Sequence, residues 1–68
     1  MNAVITHIYI RRDWLLRKRW DWRAVHSNGH VVATSGGQGY ENRAACILMA
    51  RRYAPAGSQL VDETGASL

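Results

Sequence analysis

Trp20-Asp21-Trp22-Arg23-Ala24-Val25-His26-Ser27-Asn28-Gly29-His30-Val31-Val32-Ala33-Thr34-Ser35 reads as two β-strands with the turn between them spelled out. Asn28-Gly29 is the strongest short-range hairpin signal, because both residues tolerate the positive φ of a type I′ turn, with Ser27 and His30 closing it. A two-residue loop sets the register. It puts His26 opposite Val31, Ala24 opposite Ala33 and Trp22 opposite Ser35 on one face, and Val25 opposite Val32 and Arg23 opposite Thr34 on the other. The first face also carries Trp20, and burying two indoles removes more apolar surface from water than burying a valine pair. That face is expected beneath a helix, with Arg23, Val25, His30, Val32 and Thr34 left on the uncovered side.

Upstream, Val4, Thr6, Ile8 and Ile10 alternate with Ile5, His7, Tyr9 and Arg11, so residues 3–12 are expected to form a first strand. Trp14-Leu15-Leu16 followed by Arg17-Lys18-Arg19 breaks the alternation and reads as a connecting loop or an extended hairpin end. Downstream, Gly36-Gly37-Gln38-Gly39 is a turn by composition. Asn42 is the expected N-cap of a helix from Arg43 to about Tyr53, halted by Pro55 and Gly57. Helical spacing places Cys46, Met49, Ala50 and Tyr53 on one stripe and leaves Leu48 apart, beside Arg51 and Arg52. Leu48 is thus a candidate contact for a second subunit. The segment 58–64, with Gln59-Leu60-Val61-Asp62, is a candidate last strand, after which residues 65–68 are expected to fray.

A chain of 68 residues makes one domain, read here as residues 1–64 with a short tail. At this size only about 60% of the unfolded surface is buried, so help from a partner subunit is expected. The single cysteine, Cys46, excludes an internal disulfide and a cysteine-rich zinc site. The longest apolar run, Ala44 to Ala50, is far short of the roughly 20 residues a membrane-crossing helix needs. No signal-peptide pattern opens the chain, and a soluble, cytoplasmic protein without a membrane partner is expected. The net charge is +4, and five of the nine basic residues lie between Arg11 and Arg19. Interleaved with Trp14 and Trp20, the set Arg11, Arg12, Trp14, Arg17, Lys18 and Arg19 suits a nucleic acid, through phosphate contacts and base stacking. Only Trp14 is free for stacking if Trp20 and Trp22 belong to the core.

Catalysis needs converging groups, and Asp13, Asp21, Glu41, Asp62 and Glu63 form no carboxylate pair at helical or strand spacing. Ser35 lies in a strand, not on a nucleophile elbow. Cys46 falls on the buried helical stripe, where a thiol behaves as a small inert hydrophobe. In the register above His26 and His30 point to opposite faces, which argues against a shared metal ion. The glycine-rich turn lacks the lysine and hydroxyl of a phosphate-binding loop. The expectation is therefore no enzyme, no cofactor and no metal.

Trp20, Trp22-Arg23, Asn28-Gly29, Val31-Val32-Ala33-Thr34-Ser35-Gly36, Gly39-Tyr40 and Arg43-Ala44-Ala45-Cys46 together resemble the YegP-like family, small bacterial domains that often occur as two copies in tandem. The chain departs from the family pattern at Ala24, at an extra glycine before Tyr40, and at Leu48-Met49. The resemblance implies an α+β fold: a three-stranded antiparallel meander, one helix and a short C-terminal strand (βββαβ). In that family two units complete one continuous sheet by exchanging the last strand. For a single copy it implies a homodimer, here joined through residues 58–64 with Leu48, Leu60 and Val61 at the contact. The function expected is a non-enzymatic binding protein acting on another protein through Arg23, Val25, His30, Val32 and Thr34 together with the basic loop, with nucleic-acid binding by residues 11–19 as the alternative.

Overall fold

The computed structural model describes residues 3–37 and 39–68. Gln38, expected within the glycine turn, lies outside the described residues. The chain is α+β, with one helix packed on a four-stranded mixed sheet. Its elements are β1 (Val4–Arg12), β2 (Lys18–His26), β3 (Val31–Thr34), α1 (Arg43–Tyr53) and β4 (Gln59–Val61). The sheet order is β3-β2-β1-β4: β1 pairs antiparallel with β2, β2 antiparallel with β3, and β1 parallel with β4.

The alternation in β1 sends Thr6 and Ile8 inward, where they join Trp20, Trp22 and Ala24 from β2 under Cys46 and Ala50 of the helix. Both indoles expected in the core are there: Trp20 and Trp22 are buried. The helix begins where Asn42 caps it, the Asn42 Oδ1 accepting from the Ala45 N–H at 2.7 Å. Its inward stripe is rotated from expectation. Cys46, Ile47, Ala50 and Ala54 face the sheet, whereas Tyr53 is exposed. Small side chains at Cys46, Ala50 and Ala54 let the helix settle close to the sheet, and the tryptophans fill the layer between them.

The hairpin between β2 and β3 also differs from the expected one. His26 N–H donates to the His30 carbonyl and Gly29 N–H to the His26 carbonyl, both at 2.8 Å, so the loop has three residues, Ser27, Asn28 and Gly29. Gly29 supplies the positive φ (93°), and Asn28 instead uses its Oδ1 to accept from the His30 N–H. The extra loop residue shifts the register by one, and a bulge then restores it. Val31 pairs with Val25, while Ala33 pairs with Ala24 and Thr34 with Arg23, so Val31 and Val32 together stand opposite Val25.

The last strand is supplied by the chain itself: Gln59, Leu60 and Val61 pair with Ile5, Thr6 and His7 of β1. Residues 65–68, expected to fray, fold back on it. Asp62 N–H donates to the Ala66 carbonyl, Leu68 N–H donates to the Leu60 carbonyl, and Val61 bridges Ser67. Asp62 Oδ1 organises this turn by accepting from the N–H groups of Thr64 and Ala66 and from the Thr64 hydroxyl. The hydroxyl bond, opposed by burial and aided by the two backbone bonds and by Arg43, holds the Asp62 carboxyl below its usual range. Arg43 closes the corner with a bidentate bond to Glu63 at 3.0 to 3.1 Å.

Candidate binding surfaces

Three surfaces emerge from this arrangement: the uncovered face of the sheet, its free edge, and the far end of the β1–β2 hairpin. Cross-strand parity puts Ile5, His7 and Tyr9 of β1 and Arg23 and Val25 of β2 on the uncovered face. Thr34 and Val31 join them from β3, around a shallow concavity that Tyr9, Arg23, Val31 and Thr34 share. The Arg23 guanidinium lies over the Tyr9 ring at 5.3 Å. Ile5, Val31 and Val32 are exposed by 36%, 51% and 49%, which makes this face a mix of aliphatic and cationic surface.

Of the residues expected here, Arg23, Val25 and Thr34 take their places and Val32 stands with Val31 at the bulge. His30 does not, because the three-residue loop sets it across from His26, and the parity of β2 assigns His26 to the helix side. The two imidazoles therefore share a rung and do not point to opposite faces as expected. No group of three or more His, Cys, Asp or Glu side chains comes together among the described residues.

One end of the uncovered face is roofed by the glycine turn. Asp21 is buried there, its Oδ2 accepting from Arg11 Nε at 2.7 Å and its Oδ1 from the Ser35 hydroxyl at 2.8 Å. The Arg11 Nη2 continues to the Gly37 carbonyl, and beyond the turn Tyr40 exchanges two 2.8 Å backbone bonds with Trp20. The Asp21 bond raises the Arg11 pKa above its ordinary value. Asp21 is thus a structural anchor that fixes the turn, and Arg11 is committed to it. Cys46 lies nearby under the helix, where burial, with the Asp21 charge adding to it, pushes the thiol up to about 11. It stays protonated and unreactive at neutral pH.

The sheet has one free edge among the described residues. Beyond β4 the edge is taken by Ser67 and Leu68, whereas β3 pairs only with β2. That edge, Val31-Val32-Ala33-Thr34, carries no charge and no proline. Leu60 and Val61, expected at a contact between two chains, are instead used inside this one: Val61 is buried and Leu60 packs on the core. Leu48 is 61% exposed on the helix.

The hairpin end is built by Asp13. Its Oδ1 accepts from the N–H groups of Leu15 and Arg17, and its Oδ2 from Arg17 Nε and Arg19 Nε. Burial pushes the carboxyl up, but the two backbone bonds and Arg17 outweigh it and hold the group below its usual range. Leu16 sits at φ 62°, a left-handed conformation that costs a leucine roughly 1–2 kcal/mol. Trp14, Leu15 and Leu16 are exposed by 86%, 49% and 74%. Of the basic residues expected to act together, Arg11 is held by Asp21, and Arg19 is held by Asp13 and by Glu41 at 3.2 Å. Arg12, Arg17 and Lys18 keep their charge near solvent, Arg12 donating to the Leu16 carbonyl and Lys18 lying over Trp20 at 5.1 Å.

No family model, no curated protein and no solved structure matches the chain. No helix among the described residues is long and apolar enough to cross a membrane.

Proposed function

We propose that the chain is a small, non-enzymatic binding protein of the YegP-like kind that acts through protein–protein contact, with a second copy of itself as its first partner. The βββαβ order and the resemblance carried by Trp20, Trp22, Asn28-Gly29 and Val31 to Gly36 support the kinship. The observation that carries the contact is the β3 edge: four uncharged residues, two of them half-exposed valines, whose outer backbone groups have no partner among the described residues. Two such edges pairing around a two-fold axis satisfy those groups and extend the sheet edge to edge, making the uncovered faces of the two copies continuous. This reading places the dimer on β3, since the segment 58–64 already completes the sheet within each chain. Arg23, Val25 and Thr34, beside that edge, are the side chains that select what else docks on the face.

Charging the edge tests this. Val32→Lys is expected to sediment as a monomer across the micromolar range where the parent is a dimer. Its circular dichroism should be unchanged, because a half-exposed site tolerates substitution within about 0.5 kcal/mol. A parent chain that sediments as one chain throughout, or a Val32→Lys chain that still pairs, overturns the reading.

A further inference from the structure

The far end of the β1–β2 hairpin has the composition of a membrane-inserting tip. β1 and β2 have nine residues each, about 30 Å of strand, and the helix with eleven residues covers only about 16 Å. The hairpin therefore runs out past the core, which accounts for the elongated 41 × 20 × 20 Å shape. Ile10, on the side the helix would otherwise cover, is left 42% exposed behind Trp14, Leu15 and Leu16. Trp14, Leu15 and Leu16 thus stand at a tip that nothing among the described residues covers, with Ile10 exposed farther back along β1.

We propose that this tip inserts into the interface of an anionic lipid bilayer, with Trp14, Leu15 and Leu16 entering the boundary between headgroups and acyl chains and with Arg12, Arg17 and Lys18 meeting lipid phosphates. Three observations converge on that partner. The only carboxylate in the loop, Asp13, is turned inward and consumed by four hydrogen bonds, so the outward charge is positive. The cations stand directly behind the apolar residues, the order a headgroup layer over hydrocarbon requires, and Arg11, Arg12, Arg17 and Arg19 line a hollow next to Trp14. The loop keeps a leucine at a left-handed position where glycine would be less strained, so the side chain is retained at a cost to the fold. A nucleic acid fits less well: two neighbouring leucines neither stack on bases nor hydrogen-bond to them. The contact is separate from the β3 edge and does not depend on it.

The probes are vesicles of phosphatidylcholine mixed with phosphatidylserine, vesicles of phosphatidylcholine alone, and a single-stranded oligonucleotide, each with the full chain at low salt. Co-sedimentation with the anionic vesicles is expected, together with a blue shift of tryptophan emission, since Trp20 and Trp22 are already buried and Trp14 alone changes surroundings. Leu16→Gly, which relieves the backbone while deleting the side chain, should bind about tenfold or more weakly with the fold intact. Neutralising Lys18 by Lys18→Gln should weaken binding about fivefold. Wild-type chain that stays with neither vesicle, Leu16→Gly that binds like the parent, or retention of the oligonucleotide without retention on vesicles overturns the proposal.

Discussion

Replacing Trp22 by alanine is expected to remove a large part of the chain's stability. The side chain is 3% exposed at the centre of the cluster formed with Ile8, Trp20, Ala24, Cys46 and Ala50. Removing a buried tryptophan costs about 3–5 kcal/mol through lost transfer energy and the cavity left behind. At roughly 0.05–0.15 kcal/mol per residue, a chain this short has about 3–10 kcal/mol in all. The same site makes a sharper companion prediction. The Trp22 Nε1 is buried without a hydrogen-bond partner among the described residues, and an orphaned donor costs about 1–3 kcal/mol. Trp22→Phe deletes that donor as well as part of the ring, so the two effects oppose and the phenylalanine chain should melt close to the parent. Urea titrations followed by circular dichroism separate the outcomes, and a Trp22→Ala chain as stable as the parent would show that the core lies elsewhere.

Gly39→Ala should destabilise the chain far more than Gly37→Ala, although both glycines have a positive φ (75° and 57°). A Cβ on Gly37 meets nothing within 4 Å, so that variant bears only the left-handed penalty, roughly 1–2 kcal/mol. A Cβ on Gly39 lands 2.9 Å from Asp21 Oδ1, 3.0 Å from Oδ2 and 3.0 Å from the Trp20 carbonyl. The carboxylate must then move away from Arg11 and Ser35, and disturbing buried charged hydrogen bonds adds about 1–3 kcal/mol. Equal melting temperatures for the two variants would remove Asp21 as the anchor of the turn.

These two sites also show what the sequence made legible. The indoles on alternate positions of β2 announced the buried face, and Asn42 with Pro55 bracketed the helix, because both signals are local and each has one strong physical meaning. The hairpin register was harder to read. Asn28-Gly29 serves a two-residue loop or, with Ser27, a three-residue one, and the choice rests on the bulge at Val31 and Val32, which no local preference announces. The helix stripe turned by about one residue because the approach distance depends on Cys46, Ala50 and Ala54 being small, a property of the packed pair rather than of the helix. The folded-back C-terminus does carry a local signal: Asp62, two residues before Thr64 and three before Gly65, is the pattern of a side-chain-capped turn.

Of the candidate surfaces, Arg23, Val25 and Thr34 were readable from strand parity alone. Val31 and the displacement of His30 were not, since both follow from the shifted register. The basic loop was legible as charge, but its division into committed and free arginines required Asp13 and Asp21 to be placed. That division separates Arg11 and Arg19, which hold the fold, from Arg12 and Lys18, which face outward, with Arg17 exposed but bonded to Asp13.

Amide hydrogen exchange measured at rising protein concentration addresses the self-contained sheet and its β3 contact together. Protection at β3, in particular at Val32 and Thr34, should increase with concentration, while Gln59, Leu60 and Val61 stay equally protected at every concentration because their partners belong to the same chain. Protection at Gln59 to Val61 that rises with concentration, with β3 unchanged, would mean that the last strand is exchanged between chains and would contradict the account.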